Sequence, residues 1–219
     1  MRIAILGSGN MGGALGRLFA DAGHAVTFSY ARHPDKLERL ATESGPKARA
    51  AAPADAVRDA TVVLLAVHWS NIPTVLRAAG NLRSKILIDC TMPMNKADTA
   101  LVVGLRTSGA ETTARRARGA RVVKAFNTVP AELFQAGPHV LNEQPAVCYC
   151  GDDLQSKRVV ARLIRDIAFE PVDCGRLSSA RYLEPFTLLV AELAYNQGRR
   201  PEVGVRFLHP GRKRAKKRR

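Results

Sequence analysis

The chain of 219 residues is long enough for one large domain, or a domain with a small appendage, and its 46% apolar content is ordinary for a soluble globular protein. No apolar run approaches the ~18 residues needed to span a bilayer, and the first strand begins at Arg2, so the sequence reads as cytoplasmic, with neither membrane anchor nor leader. The net charge of +15 is unevenly placed: seven of those charges fall in the last eight residues, Arg212 to Arg219, so residues 209–219 read as a disordered, solubilising tail whose contact with nucleic acid is weak and salt-sensitive.

Taken in order, the chain opens with a strand, a tight turn and a helix. Ile3-Ala4-Ile5-Leu6 stops at Gly7, and a helical pattern with Leu15, Leu18 and Phe19 on one face begins at Met11. The turn, Gly7-Ser8-Gly9-Asn10-Met11-Gly12, has the spacing of a dinucleotide-binding loop. Gly7 permits the turn, Gly9 lets the backbone approach a pyrophosphate, Gly12 lets the helix pack close to the strand, and the N–H groups at the helix start face the phosphates.

Ala25 to Tyr30 reads as the second strand, and its end discriminates between cofactors. NAD-binding units place an Asp or Glu there, whereas this chain has Ser29 and Tyr30, followed by Arg32 and Lys36. A carboxylate repels a 2′-phosphate, while hydroxyls and a guanidinium bind one, so NADP is expected over NAD.

Pro34 starts a helix that ends at Gly45-Pro46, and residues 49–60 read as a short strand and a short helix. Thr61 to Val67 is a continuous apolar run, as expected of a strand buried on both faces. Its end, Ala66-Val67, leads into His68, Trp69 and Ser70 at the carboxyl edge where such sheets bind ligands. Trp69 reads as a wall of the cofactor channel or as plain core, and His68 as a proton shuttle or a solvated histidine. A helix over 72–79, a strand over 85–90, the loop Thr91 to Asn95 and a less regular stretch over 96–119 follow. The strand over 121–126 ends in Asn127-Thr128-Val129-Pro130, where the polar pair either orients a nicotinamide carboxamide or makes a simple turn.

Ala146 to Cys150 and Glu170 to Asp173 flank a helix over 154–167 and extend the sheet; a final helix repeats apolar residues at Phe186, Leu189, Val190, Leu193 and Ala194. Cys90, Cys148, Cys150 and Cys174 read as free thiols rather than metal ligands, with Cys148 and Cys150 on one strand face. The alternation predicts an α/β fold, a doubly wound, mostly parallel Rossmann sheet over 1–175, with a C-terminal helical lobe over 176–208 that completes a second-substrate pocket.

Four separated segments resemble a known family: Gly7 to Gly13, Val122-Val123-Lys124-Ala125-Phe126-Asn127-Thr128, Cys150-Gly151-Asp152-Asp153, and Asp173-Cys174-Gly175 through Leu183-Glu184. In this order they are similar to the coenzyme F420-dependent NADP oxidoreductases and, more distantly, to the dinucleotide-binding domain of the STEAP metalloreductases. The resemblance runs from Met1 to about Leu208. It implies hydride transfer between NADPH and a deazaflavin, coenzyme F420, by a homodimer that uses the C-terminal helix. It implies Ser8, Gly9, Asn10 and Met11 at the pyrophosphate; Ser29, Tyr30 and Arg32 near the 2′-phosphate; and Asn127, Val129, Arg181 and Thr187 around the deazaflavin ring. The chain departs from the family pattern at His68, where relatives commonly carry proline, and at Asn127, where archaeal members carry histidine. Both positions border the expected second-substrate pocket, so a flavin, a ferric complex or a small imine stands as an alternative acceptor. A non-catalytic NADPH-sensing module is the alternative of another class.

Overall fold

The computed structural model describes residues 1–31, 33–197 and 200–208. The expectations for Arg32 and for the basic tail over 209–219 lie outside the described residues.

Eight strands form one sheet in the order β3-β2-β1-β4-β5-β6-β7-β8. They are β1 (Arg2–Leu6), β2 (Ala25–Ser29), β3 (Ala48–Ala50), β4 (Val62–Leu65), β5 (Ile86–Asp89), β6 (Arg121–Ala125), β7 (Ala146–Gly151) and β8 (Glu170–Asp173). Strands β1 to β6 run parallel; β7 pairs with β6 antiparallel, and β8 follows β7 in parallel. The chain leaves β1 toward β2 on one side and returns through β4 on the other, so the strand order reverses at the carboxyl ends of β1 and β4. That reversal opens a crevice for ligands.

Both faces of the sheet are covered, which explains the uninterrupted apolar runs. Alternate residues divide between two cores: Ile3, Ile5, Val62 and Leu64 enter one, while Ala4, Leu6, Val63 and Leu65 enter the other. On the first face, α1 (Asn10–Asp21), α2 (Pro34–Glu43), α6 (Ala131–Ala136) and α7 (Leu154–Asp166) pack around an aromatic chain. Its rings Phe19, Phe126, Phe134 and Phe169 succeed one another at centroid distances of 6.0, 5.9 and 4.9 Å. On the second face lie α3 (Pro53–Asp59), α4 (Ile72–Ala79), α5 (Gly109–Arg116) and α8 (Ala180–Ala191). A π-helical turn, Glu192–Asn196, continues α8.

Helix α5 lies within the stretch that reads as less regular. Its signal is a capping box: the Ser108 hydroxyl accepts from the Glu111 N–H at 3.1 Å and donates to the Glu111 carboxylate at 2.8 Å. The cysteines are free, with Cys148 and Cys150 in the same core. Burial pushes the Cys90 and Cys150 thiols up to about 12, which keeps them protonated and inert. No helix among the described residues is long and apolar enough to cross a membrane.

Candidate active site

The phosphate end of the crevice is made by backbone. Gly7 turns out of β1 with φ 104°, in the left-handed region that favours glycine, and a Cβ there would stand 2.3 Å from the Ala66 carbonyl oxygen. A Cβ on Gly12 would stand 1.9 Å from the Gly7 carbonyl oxygen, so α1 can sit this close to the turn only without a side chain there. Gly9 differs: nothing lies within 4 Å of its Cβ position. It is the N-cap of α1, which has no side-chain cap, so the first-turn N–H groups open onto uncovered backbone, as an anion site requires.

Two cavities meet over this turn. The first, about 350 Å³, is bounded by Gly7, Ser8, Gly9, Tyr30, Lys36, Ala66, Val67 and His68, together with His33 and Asn71, which the sequence reading missed. The second, about 360 Å³, is bounded by Gly9, Asn10, Met11, Ala66, Val67, His68, Asn127, Val129 and Thr187. Four residues, Gly9, Ala66, Val67 and His68, wall both. A single extended ligand crossing the glycine turn therefore reaches from one cavity into the other.

The second cavity also takes Cys90, Thr91, Met92 and Met94 from the segment after β5, Pro130 and Ala131 at the start of α6, and Val190, Ala191 and Tyr195 from α8 and its π turn. At its mouth His68 is held from both ring nitrogens. The Ser70 N–H reaches Nδ1 at 3.3 Å, which makes Nδ1 an acceptor, so Nε2 carries the proton toward the Asp98 carboxylate at 3.2 Å. Asp98 thus ties the loop after β5 to the end of β4. Tyr195, which also lines this cavity, donates its hydroxyl to Glu132 at 2.7 Å.

Asn127 follows Phe126, whose φ of 70° is unusual for an aromatic residue, and it lies 95% buried at the cavity wall. Its Nδ2 donates to the Thr187 hydroxyl at 2.7 Å and to the Leu183 carbonyl at 3.3 Å, whereas its Oδ1 is buried without a partner.

Behind this wall lies a cluster of buried charge that the sequence reading did not isolate. The Lys124 ammonium, fully buried, stands 3.2 Å from Glu184 and 3.7 Å from Asp89, and it donates to the Thr91 carbonyl. Burial alone would lower the Lys124 pKa, but the Asp89 and Glu184 carboxylates outweigh it and raise the pKa above its ordinary value. Asp89 also accepts from the Thr91 N–H and hydroxyl at 2.8 and 2.7 Å. Glu184 accepts from the Gly109 and Ala110 N–H groups at 2.8 and 3.0 Å, and so caps α5 from α8. The signal was available: Lys124 lies within the apolar run of β6 and Asp89 closes that of β5, and charges in strands buried on both faces need partners.

Three expected ligand contacts are corrected by the geometry. Ser29 is fully buried, and its hydroxyl donates to the Ala51 carbonyl at 2.8 Å, bracing β2 rather than facing a 2′-phosphate. Trp69 packs against the second core with the Arg116 guanidinium 5.8 Å from its ring centroid, and it walls neither cavity. Arg181 makes a two-pronged ion pair with Glu111 at 2.6 and 2.9 Å, joining α8 to α5 outside the cavity lining. Gly12 lines neither cavity and stands behind the turn, where its missing side chain lets α1 pack close to β1, the role expected of it.

Residues 2–93 match the family described as NADP oxidoreductase, coenzyme F420-dependent. The F420-dependent NADP reductase of Methanothermobacter thermautotrophicus is 29% identical over 211 residues, covering 88% of this chain and 89% of that one. The crystal structure of a putative F420-dependent NADP reductase from an Arthrobacter species superposes with a TM-score of 0.81 at 28% identity, covering 90% of this chain and 95% of that one. The chain is thus similar to coenzyme F420-dependent NADP oxidoreductases, by the family model over residues 2–93 and by these two reductases over most of its length. The matched residues 2–93 include the glycine turn and the ends of β1, β2, β4 and β5. The metalloreductase STEAP3 of Rattus norvegicus is 33% identical over 187 residues, which are 85% of this chain. This chain spans about a third of that relative, 36% of its length, and 26% of metalloreductase STEAP2 of Homo sapiens.

Proposed function

We propose that the chain binds NADPH along the carboxyl edge of the sheet and exchanges a hydride with a deazaflavin of the coenzyme F420 type held beneath α8. The reading rests above all on the wall shared by the two cavities, because a dinucleotide is the kind of ligand that spans a phosphate site and a ring site in one piece. The residues present fit the cofactor: Gly9 leaves room over the first turn of α1, and Lys36 with Tyr30 lines the end where a 2′-phosphate belongs.

When bound, the dihydronicotinamide supplies the hydride, and solvent supplies the proton that completes the reduction of the acceptor. The chain's own part is placement. Met11, Val129 and Val190 present apolar surface to the rings and exclude water, and Asn127 borders the nicotinamide end. Fixed stacking of two rings requires no nucleophile.

The second reading, a flavin or ferric complex as acceptor, is supported by the identity to a metalloreductase over 85% of this chain. The deciding experiment follows NADPH absorbance with oxidised coenzyme F420, a flavin or a ferric complex, alongside calorimetric NADP⁺ titration. Oxidation with F420 above background supports the leading reading, and oxidation with the flavin or ferric complex alone transfers the assignment to the second. Binding without oxidation makes the chain a sensing module; absence of binding overturns all three. We also propose a homodimer across the exposed side of α8, where Tyr182 and Leu189 lie open to solvent; light scattering of a monomer at high concentration would rule it out.

A further inference from the structure

The unpartnered atom of Asn127 identifies the group it is built to meet. A primary amide has a donor end and an acceptor end, and which end faces which way follows from its partners. The Leu183 carbonyl can only accept. The Thr187 hydroxyl donates its proton to that same carbonyl at 2.8 Å, so toward Asn127 it too presents a lone pair. Both neighbours therefore require the donor end, Nδ2, and a flipped amide would set oxygen against oxygen. The acceptor end, Oδ1, is left buried and without a partner in a residue that lines the cavity, so a donor arriving there meets it after a small shift of the wall. A buried carbonyl without a donor costs about 1–3 kcal/mol, and such an atom calls for a donor from outside the chain.

We infer that Thr187 is a positioning residue. It locks the Asn127 amide so that Oδ1 accepts the carboxamide N–H of the nicotinamide, and the site thereby selects a carboxamide over ring substituents that carry no N–H. The inference rests on the crevice being a dinucleotide site. Phe126, in its left-handed conformation, and the Lys124–Glu184 pair, which fixes α8 one turn before Thr187, hold the two halves of the lock in place.

The test uses the full chain and binding alone, so it does not depend on the acceptor. Calorimetry compares NADP⁺ with its 3-acetylpyridine analogue, whose methyl ketone has no N–H. The wild type is expected to prefer NADP⁺ by about tenfold, the worth of one buried hydrogen bond. In Thr187→Val, of equal shape, the preference falls to roughly a third of that because only Leu183 still orients the amide; in Asn127→Leu it disappears. Thr187→Ser keeps the hydroxyl and restores the wild-type preference, which a packing role for Thr187 would not predict. A Thr187→Val protein that melts cooperatively and keeps the full preference overturns the positioning role. A wild type that binds both compounds equally overturns the Asn127 contact, and failure to bind either overturns the dinucleotide reading on which both depend.

Discussion

The two ends of the crevice are built in opposite ways. At the phosphate end, Gly7, Gly9 and Gly12 act through the backbone within six residues of one another, and the distant atoms they meet belong to Ala66 and Val67 behind Gly7. At the ring end almost nothing is local: Asn127 is oriented by Thr187, sixty residues on, and α5 is capped by Glu184, 75 residues beyond Gly109. A backbone site tolerates change in every side chain that does not fill it. A site assembled from distant side chains changes its lining whenever any contributor moves. The phosphate end should therefore vary less between related chains than the ring end.

The sharpest way to break the ring end is Lys124→Met, which leaves the Asp89 and Glu184 carboxylates buried without their cation. Removing one member of a buried ion pair costs about 3–5 kcal/mol, so denaturant titration should show a loss of that size, with α8 and α5 the first helices to lose hydrogen-exchange protection. If protection is lost evenly across the sheet, the cluster is general core and the contrast between the two ends weakens.

Gly12→Ala attacks the phosphate end. With the new Cβ 1.9 Å from the Gly7 carbonyl oxygen the turn must shift, and losing hydrogen bonds to a charged phosphate worth about 2.7 kcal/mol amounts to roughly 100-fold. NADP⁺ affinity is expected to fall by that factor, measured by calorimetry, while α8 keeps its hydrogen-exchange protection. Unchanged affinity would show that the turn is not the phosphate site.

The smallest effect belongs to the Arg181–Glu111 pair. The hydrogen bonds from Arg181 hold the Glu111 carboxyl below the usual carboxylate range. The stabilisation is therefore fully present above the ordinary Glu pKa and is lost as the pH falls through the depressed one. Glu111→Gln should lower the melting temperature slightly at neutral pH and match the wild type in acid. An equal difference at both pH values would assign the effect to packing.

What the sequence disclosed follows the same division. The first strand, turn and helix, the strands buried on both faces and the carboxyl-edge positions of Ala66, Val67 and Asn127 were legible, because each is announced by residues close in the chain. Helix α5 was legible in principle through Ser108 and Glu111, and was obscured by the basic, irregular run around it. The partners of Ser29, Trp69 and Arg181 were not legible, since Ala51, Arg116 and Glu111 reach them only through tertiary packing. Resemblance supplied Thr187 as a pocket residue, but the direction of its hydroxyl depends on a carbonyl one helical turn away.

The π turn after α8 governs the phase of the pocket. Thr187, Ala191 and Tyr195 line the second cavity at spacings of four residues, and the last of them sits on the turn from Glu192 to Asn196, which holds one residue more than a regular α-turn. Each residue of an α-helix advances the side chains by about 100°. Deleting one residue from this turn would relax it to ordinary helix and bring Asn196 to the rim in place of Tyr195, whereas a deletion between Glu184 and Thr187 would rotate the whole wall away from the rings. Length changes are thus admissible in the π turn and ruinous within α8 between Glu184 and Thr187, so the shape of the second pocket can be retuned by an indel without unfastening α8 from the sheet.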